Sequence, residues 1–237
     1  MAAPLFPRLV PMGDRALVIE FGDAADPVLS SHIAAVAQHM RASPPAGVLD
    51  IVPTYTTLAV HYDPAAVGDG DSPYEALAAQ LASWLEKEPP GSTVEGRAVE
   101  IPVCYGGEFG EDLDALANRN GLQPEEVMRL HSAARYHVHM LGFVPGFAYL
   151  GGLDPRLATP RRDSPRPKVP AGSVAIGGSH TGIFPLDTPG GWHLIGRTPL
   201  RLFTPESEPP CLLNAGDTVR FVPIDAAQFA SLSQGQP

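Results

Sequence analysis

The sequence predicts an α+β protein in two parts, an N-terminal ferredoxin-like split βαβ domain over residues 1–105 and a compact β-barrel or sandwich over residues 106–237. Three observations predict it. Strand-like and helix-like segments alternate from Ala16 to Val103. Proline and glycine then crowd the stretch from Gly142 to Pro199, 9 Pro and 11 Gly in 58 residues, which excludes long helices. Short apolar pieces bounded by turn residues follow one another through and beyond that stretch. With 237 residues, 44% hydrophobic and 18% charged, the chain buries its own core and is too apolar for disorder.

The first strand is Ala16-Leu-Val-Ile-Glu-Phe21, closed by Gly22. Leu29, Ile33, Val36 and Met40 recur at helical spacing, and Ser43-Pro44-Pro45 stops that helix. Two strands follow, Val48 to Val52 and Thr57 to Tyr62, the second with Leu58, Val60 and Tyr62 on one face. Ser72 as N-cap and Pro73 at the first position open a second helix carrying Tyr74, Leu77, Leu81 and Trp84 on one side. Glu88 to Thr93 interrupts it as a joint, and Val99, Ile101 and Val103 alternate as the strand expected to return to the first sheet. Short helices are expected from Asp112 to Asn118, from Pro124 onward, and near Ala226 to Leu232. Barrel strands are expected at Val174 to Ile176, Gly182 to Phe184, His193 to Ile195 and Thr218 to Val222.

Composition excludes several functions. Sixteen basic against 26 acidic residues, a net charge of −10, oppose binding driven by a polyanion. No apolar run approaches the roughly 18 residues of a membrane span, and the N-terminal residues lack a signal-peptide pattern, so a cytoplasmic location is expected. Cys104 and Cys211 form no C-x-x-C pair. His131, His137 and His139 lack an H-E-x-x-H or Cys/His grouping, and no metal site is expected. Gly177-Gly-Ser-His-Thr181 misses the last glycine of a nucleophile elbow at Ser179, and no P-loop or Rossmann fingerprint occurs.

The candidate site is built from three stretches. Arg156, Arg161, Arg162, Arg166 and Lys168 lie in a segment stiffened by four prolines and face only Asp163, a composition suited to a carboxylate or phosphate and equally to a solvated loop. Thr188-Pro-Gly-Gly-Trp-His193 sets Gly190 and Gly191 beside Trp192, where bare backbone N–H groups can approach a ligand. Phe143, Pro145, Phe147 and Tyr149, with Thr181, are expected to wall a pocket. The same glycine-rich stretches also suit tight barrel corners. No catalytic acid, base or nucleophile emerges.

Taken together, Tyr105-Gly-Gly-Glu-Phe-Gly-Glu-Asp-Leu113, Leu141-Gly-Phe-x-Pro-Gly-Phe-x-Tyr-Leu150, Pro160-Arg-Arg-x-x-Pro-Arg166, Val169-Pro-Ala-Gly-Ser-Val174 and Thr188-Pro-Gly-Gly-Trp192 through Ile195-Gly-Arg197 form an ordered set. The set resembles the 5-oxoprolinase B-subunit (PxpB) family, also called the KipI or allophanate hydrolase subunit 1 family, along almost the whole chain. The resemblance implies that the second domain is a cyclophilin-like β-barrel. It also implies heteromeric partners, a C-subunit-like and an A-subunit-like protein, and ATP as cofactor for opening the lactam 5-oxoproline to glutamate. His180, Phe184, Thr188 and His193 stand where members often have Gln, Tyr, Ser and Gln. On this footing Arg161, Arg166 and Arg197 are the expected anion-binding residues, with Gly190, Gly191, Trp192 and His193 beside them. A KipI-like inhibitor of a histidine kinase and a component of an allophanate or urea-amide enzyme are the alternative readings of the same resemblance.

Overall fold

The computed structural model describes residues 7–24, 26–68, 72–87 and 96–234. The chain divides into two units between Glu95 and Gly96. In the first, β1 (Arg8–Pro11), β2 (Ala16–Glu20), α1 (Pro27–Ala42), β3 (Val48–Pro53), β4 (Thr57–Tyr62) and α2 (Pro73–Leu85) follow in order. The strands form one antiparallel sheet in the order β1-β2-β4-β3. Leu17 pairs with Val60 and Ile19 with Leu58, so the alternation read from β4 continues across the sheet as one apolar face. That face packs with Ile33, Val36 and Met40 of α1 and Leu77 and Leu81 of α2. The Asp26 carboxylate takes the first free N–H groups of α1 and the Ser72 hydroxyl does the same for α2, each followed by a proline that has no N–H to satisfy.

The returning strand of the expected split βαβ order is a correction. Residues 98–105 leave the first sheet altogether, and Arg8–Pro11, a stretch without strand-like alternation, fills the edge beside β2. The expected boundary at residue 105 moves accordingly to 95. The expected joint at Glu88 to Thr93 lies outside the described residues.

The second unit contains β5 (Ala98–Tyr105), α3 (Leu113–Arg119), α4 (Pro124–Ala133), β6 (Tyr136–Leu141), β7 (Ala148–Gly151), β8 (Arg166–Val169), β9 (Ser173–Gly177), β10 (His180–Ile183), β11 (Thr188–Gly190), β12 (His193–Arg197), β13 (Thr218–Pro223) and α5 (Ala226–Gln234). Seven strands close a barrel in the order β10-β7-β6-β13-β5-β12-β9, and β8 and β11 form a separate two-stranded ribbon. Strand β5 is held here because it has partners on both sides, β13 in parallel from Ala98–Thr218 to Val103–Pro223, and β12 antiparallel at Cys104 and Tyr105. Asp217 reinforces it by accepting the Arg97 backbone N–H at 3.0 Å and its guanidinium at 2.6 Å. Ile101, Val103, Val138, Leu150, Ile176 and Ile195 belong to the barrel core. No described helix is long and apolar enough to cross a membrane.

Candidate functional site

The proline-held basic segment is mostly neutralised by the protein itself. Asp112, just before α3, accepts Arg162 at 3.1 Å and Arg166 at 2.8 Å on one carboxylate oxygen, and the Leu194 N–H at 2.7 Å on the other. Arg166 also pairs with Glu111 at 2.9 Å. Arg156 pairs with Asp154, and Lys168 with Asp187. Arg166, expected as an anion-binding residue, is therefore a strut that ties the start of β8 to β12. Arg161 differs. Its guanidinium lies 5.9 Å from the centre of the Trp192 ring, and among the described residues no carboxylate is within ion-pair distance of it.

The glycines make room for the protein's own rings. A Cβ on Gly177 would fall 2.6 Å from Trp192, one on Gly182 2.9 Å from Phe147, and one on Gly190 2.9 Å from Phe184. These strands thus present a trough on the outer barrel face in which Trp192, Phe147 and Phe184 pack edge to face. Val169 of β8 covers the same cluster. Only Gly191 of the expected backbone pair has open space, with nothing nearer than 3.7 Å. Gly190, expected to present its N–H to a ligand, is instead paired in the β8–β11 ribbon. Tyr149 is half-buried against Phe147, while Phe143 and Pro145 are exposed on the β6–β7 turn.

Two segments converge on the edge of the trough. Thr159 and Gly178 exchange backbone hydrogen bonds at 3.0 and 2.7 Å, His193 Nε2 donates to the Pro160 carbonyl at 2.9 Å, and the Arg162 N–H reaches the Gly191 carbonyl at 2.8 Å. Arg161 is consequently fixed between two backbone anchors, although its side chain is exposed. Beside it stands His180 at the start of β10, with its Nδ1 3.3 Å from the Ser179 hydroxyl. Burial and the nearby Arg161 charge push the His180 imidazole below its ordinary proton affinity, so it is neutral at pH 7.

Thr181 is corrected from pocket wall to barrel interior. It is completely buried, its hydroxyl donates to the Ala175 carbonyl at 3.0 Å, and it must therefore accept from His131 Nε2–H at 2.9 Å. His131 Nδ1 then accepts from the Tyr105 hydroxyl at 2.7 Å. Burial lowers the His131 pKa to about 3, which keeps the ring neutral inside the barrel. Arg197 lies at the far end of β12, paired in register with Ser173, and its Nε is buried without an acceptor. Lys168, the Ala171 N–H and Arg197 together hold the Asp187 carboxyl below its usual range. A cleft of about 320 Å³ opens between the turns at Ala171–Gly172, Pro185–Leu186 and Thr198–Glu206, and none of the expected site residues lines it.

His137 and His139 stack edge to face 5.0 Å apart, and among the described residues no three His, Cys, Asp or Glu side chains form a metal cluster. Sequence reasoning passed over Asp112, and it noted His180 as a departure from the family pattern without giving it a role. Asp112 carries no local signal because its partners lie about fifty and eighty residues away in the chain. His180 stood in the near-miss serine motif, and its neighbourhood with Arg161 needed the Thr159–Gly178 bridge to be seen.

Residues 7–213 match the carboxyltransferase domain family, subdomains C and D. The chain is 45% identical over 223 residues to the 5-oxoprolinase B subunit of Bacillus subtilis (strain 168), covering 92% of this chain and 93% of that protein. It is 54% identical over 144 residues to the 5-oxoprolinase B subunit of Escherichia coli O157:H7, covering 61% and 66% respectively. Among solved structures, TTHA0988 superposes with a TM-score of 0.78 at 39% identity over 90% of this chain. The chain spans 40% of the length of TTHA0988.

Proposed function

The chain belongs to the carboxyltransferase-domain family of subdomains C and D, within its 5-oxoprolinase B-subunit group, and from that membership we propose that it is the B subunit of an ATP-dependent 5-oxoprolinase. The similarity to the Bacillus subtilis protein, which runs nearly end to end in both chains, carries this reading. The barrel is read as cyclophilin-like. The first unit is read as a ferredoxin-like fold in which the N-terminal strand takes the place of the fourth.

In the proposed reaction one water cleaves the lactam C–N bond, adding hydroxyl to the carbonyl carbon and a proton to nitrogen, while the terminal phosphoryl group of ATP passes to a second water. An amide is a poor electrophile, and hydrolysis of ATP supplies the driving force. What this chain contributes is a rigid surface that orients the substrate, the effect that turns a bimolecular encounter into a near-unimolecular one. The buried Trp192 ring, seated in the glycine trough, backs that surface, and Arg161 provides its charge. A-subunit-like and C-subunit-like partners complete the assembly and its ATP site. Of the two lysines in the chain, Lys168 is already engaged by Asp187. Co-purifying this chain with those partners and measuring ATP hydrolysis tests the reading. Hydrolysis should rise when 5-oxoproline is added, and an assembly whose ATPase ignores the lactam would refute it.

A further inference from the structure

We propose that the turn between β6 and β7 is a docking knob, with the exposed Phe143 ring as its anchor, received in an apolar pocket of another subunit of the enzyme assembly. The proposal rests on the 5-oxoprolinase B-subunit reading for the existence of that subunit and assigns it a place of contact on this chain.

An exposed apolar side chain means little by itself. Phe143 is 62% exposed, but it also sits at φ +71°, and among the described residues every other residue at positive φ is a glycine. That region crowds a Cβ against the neighbouring carbonyl oxygen, so a bulky residue there costs the folded state stability that glycine would not. The Val144 N–H donates to the Gly142 carbonyl at 2.9 Å, which closes a γ-turn around Phe143 in its rare, strained hand.

The turn is stiff. The Val144 carbonyl accepts the Phe147 N–H at 3.1 Å across Pro145 and Gly146, with Gly146 at φ +82° as a type II turn requires, and the Gly142 N–H reaches the Phe147 carbonyl at 3.1 Å. Gly146 is wedged against the barrel, since a Cβ there would fall 2.8 Å from Phe203 Cβ and 3.1 Å from the Leu202 carbonyl oxygen. Val144 packs on the ring cluster beneath, and the Phe143 ring meets Phe147 edge to face at 5.7 Å. The backbone thus holds the Phe143 ring outward, and a ring already fixed has little freedom to lose on docking, which is the profile of an aromatic hot spot.

The occupant follows from chain length and from chemistry. In TTHA0988 the part matching this chain is 40% of the polypeptide, so there the same fold shares its chain with a larger remainder. Residues 142 to 147 carry no charge, which suits the dry core of a contact with a folded subunit. Phe147 also meets Trp192 at 5.7 Å, and Arg161 lies over Trp192, so a subunit seated on Phe143 stands beside the charge that orients the substrate.

The test is the Kd of the full chain for the A-subunit-like and C-subunit-like partners, titrated singly and together by calorimetry, with wild type, Phe143→Asn, Phe143→Gly and Val28→Asn, the last at a position 73% exposed in the first unit. Asparagine and glycine both tolerate φ +71°, so these variants remove the ring and leave the turn in place, and melting temperatures should stay close to wild type. For one partner, Phe143→Asn and Phe143→Gly should each raise Kd at least about tenfold, while Val28→Asn leaves it unchanged. A wild-type Kd for both partners in the two Phe143 variants, or an equal loss in Val28→Asn, overturns the anchor and leaves the 5-oxoprolinase reading standing. Self-association of the wild-type chain in sedimentation that Phe143→Asn abolishes gives the knob to a second copy and overturns the proposal as well. If the wild-type chain binds neither partner, singly or together, the 5-oxoprolinase reading fails and the anchor falls with it.

Discussion

Arg166 and Asp112 form an ion pair at 2.8 Å with side chains 16% and 9% exposed, and the same carboxylate also holds Arg162 and the Leu194 N–H. Removing Asp112 leaves Arg166 with Glu111 alone and strips the buried Leu194 N–H of its acceptor, at a cost of about 1–3 kcal/mol. Asp112→Ala should destabilise the protein by about that amount, while Arg161→Ala, at an exposed position, should stay within about 0.5 kcal/mol. Denaturant unfolding of the two variants measures the difference. Equal stabilities would mean that the Asp112 cluster does not hold the basic segment in place.

The barrel interior predicts a pH dependence. His131 has its folded pKa lowered to about 3 by burial, so the folded protein excludes a proton that the unfolded chain binds below about 6.5. Stability should be fully present above that value and fall with acidification, by about 2 kcal/mol between pH 8 and pH 5 from this residue alone. Burial depresses His137, and burial with the Arg161 charge depresses His180, so both act in the same direction. Unfolding free energies at the two pH values check this, and no loss at pH 5 would contradict a neutral His131 between Tyr105 and Thr181.

The glycine trough predicts opposite outcomes at two glycines. Gly177→Ala drives a methyl group to 2.6 Å from Trp192 and should cost about 1–3 kcal/mol, with a change in near-ultraviolet circular dichroism as the ring is displaced. Gly191→Ala, whose nearest neighbour lies at 3.7 Å, should fold normally. A tolerated Gly177→Ala would show that the trough does not seat the indole.

Much of the first unit was legible because its signals are local. The Ser72–Pro73 start, the spacing of Leu29, Ile33, Val36 and Met40, and the alternation of β4 are each carried by residues close together in the chain. The destination of Val99, Ile101 and Val103 was not, since alternation specifies a strand with a buried face and leaves its sheet open. Its partner β13 lies about 120 residues downstream. The candidate site divides in the same way. A segment rich in arginine and proline was visible, but which arginine remains without a carboxylate depended on Asp112 folding back from outside the segment. Thr181 sat within an apparent loop motif, and its inward orientation became evident only from its pairing with Leu150 across β7.

The placement of β5 predicts how the chain can be cut. A fragment starting at residue 96 keeps all seven barrel strands and should show a cooperative thermal transition, whereas one starting at residue 107 loses a strand paired on both sides and should not. Circular dichroism melts of the two fragments compare them. A cooperative transition in the shorter fragment would contradict the barrel assignment of residues 98–105.

The central claim is tested most directly by following glutamate release from 5-oxoproline in a mixture of this chain with A-subunit-like and C-subunit-like partners, leaving out one component at a time. Release should require ATP and should stop when this chain is omitted and resume in proportion as it is added back. Full activity without this chain, or tight inhibition of a histidine kinase with no lactam turnover in any mixture, would contradict it.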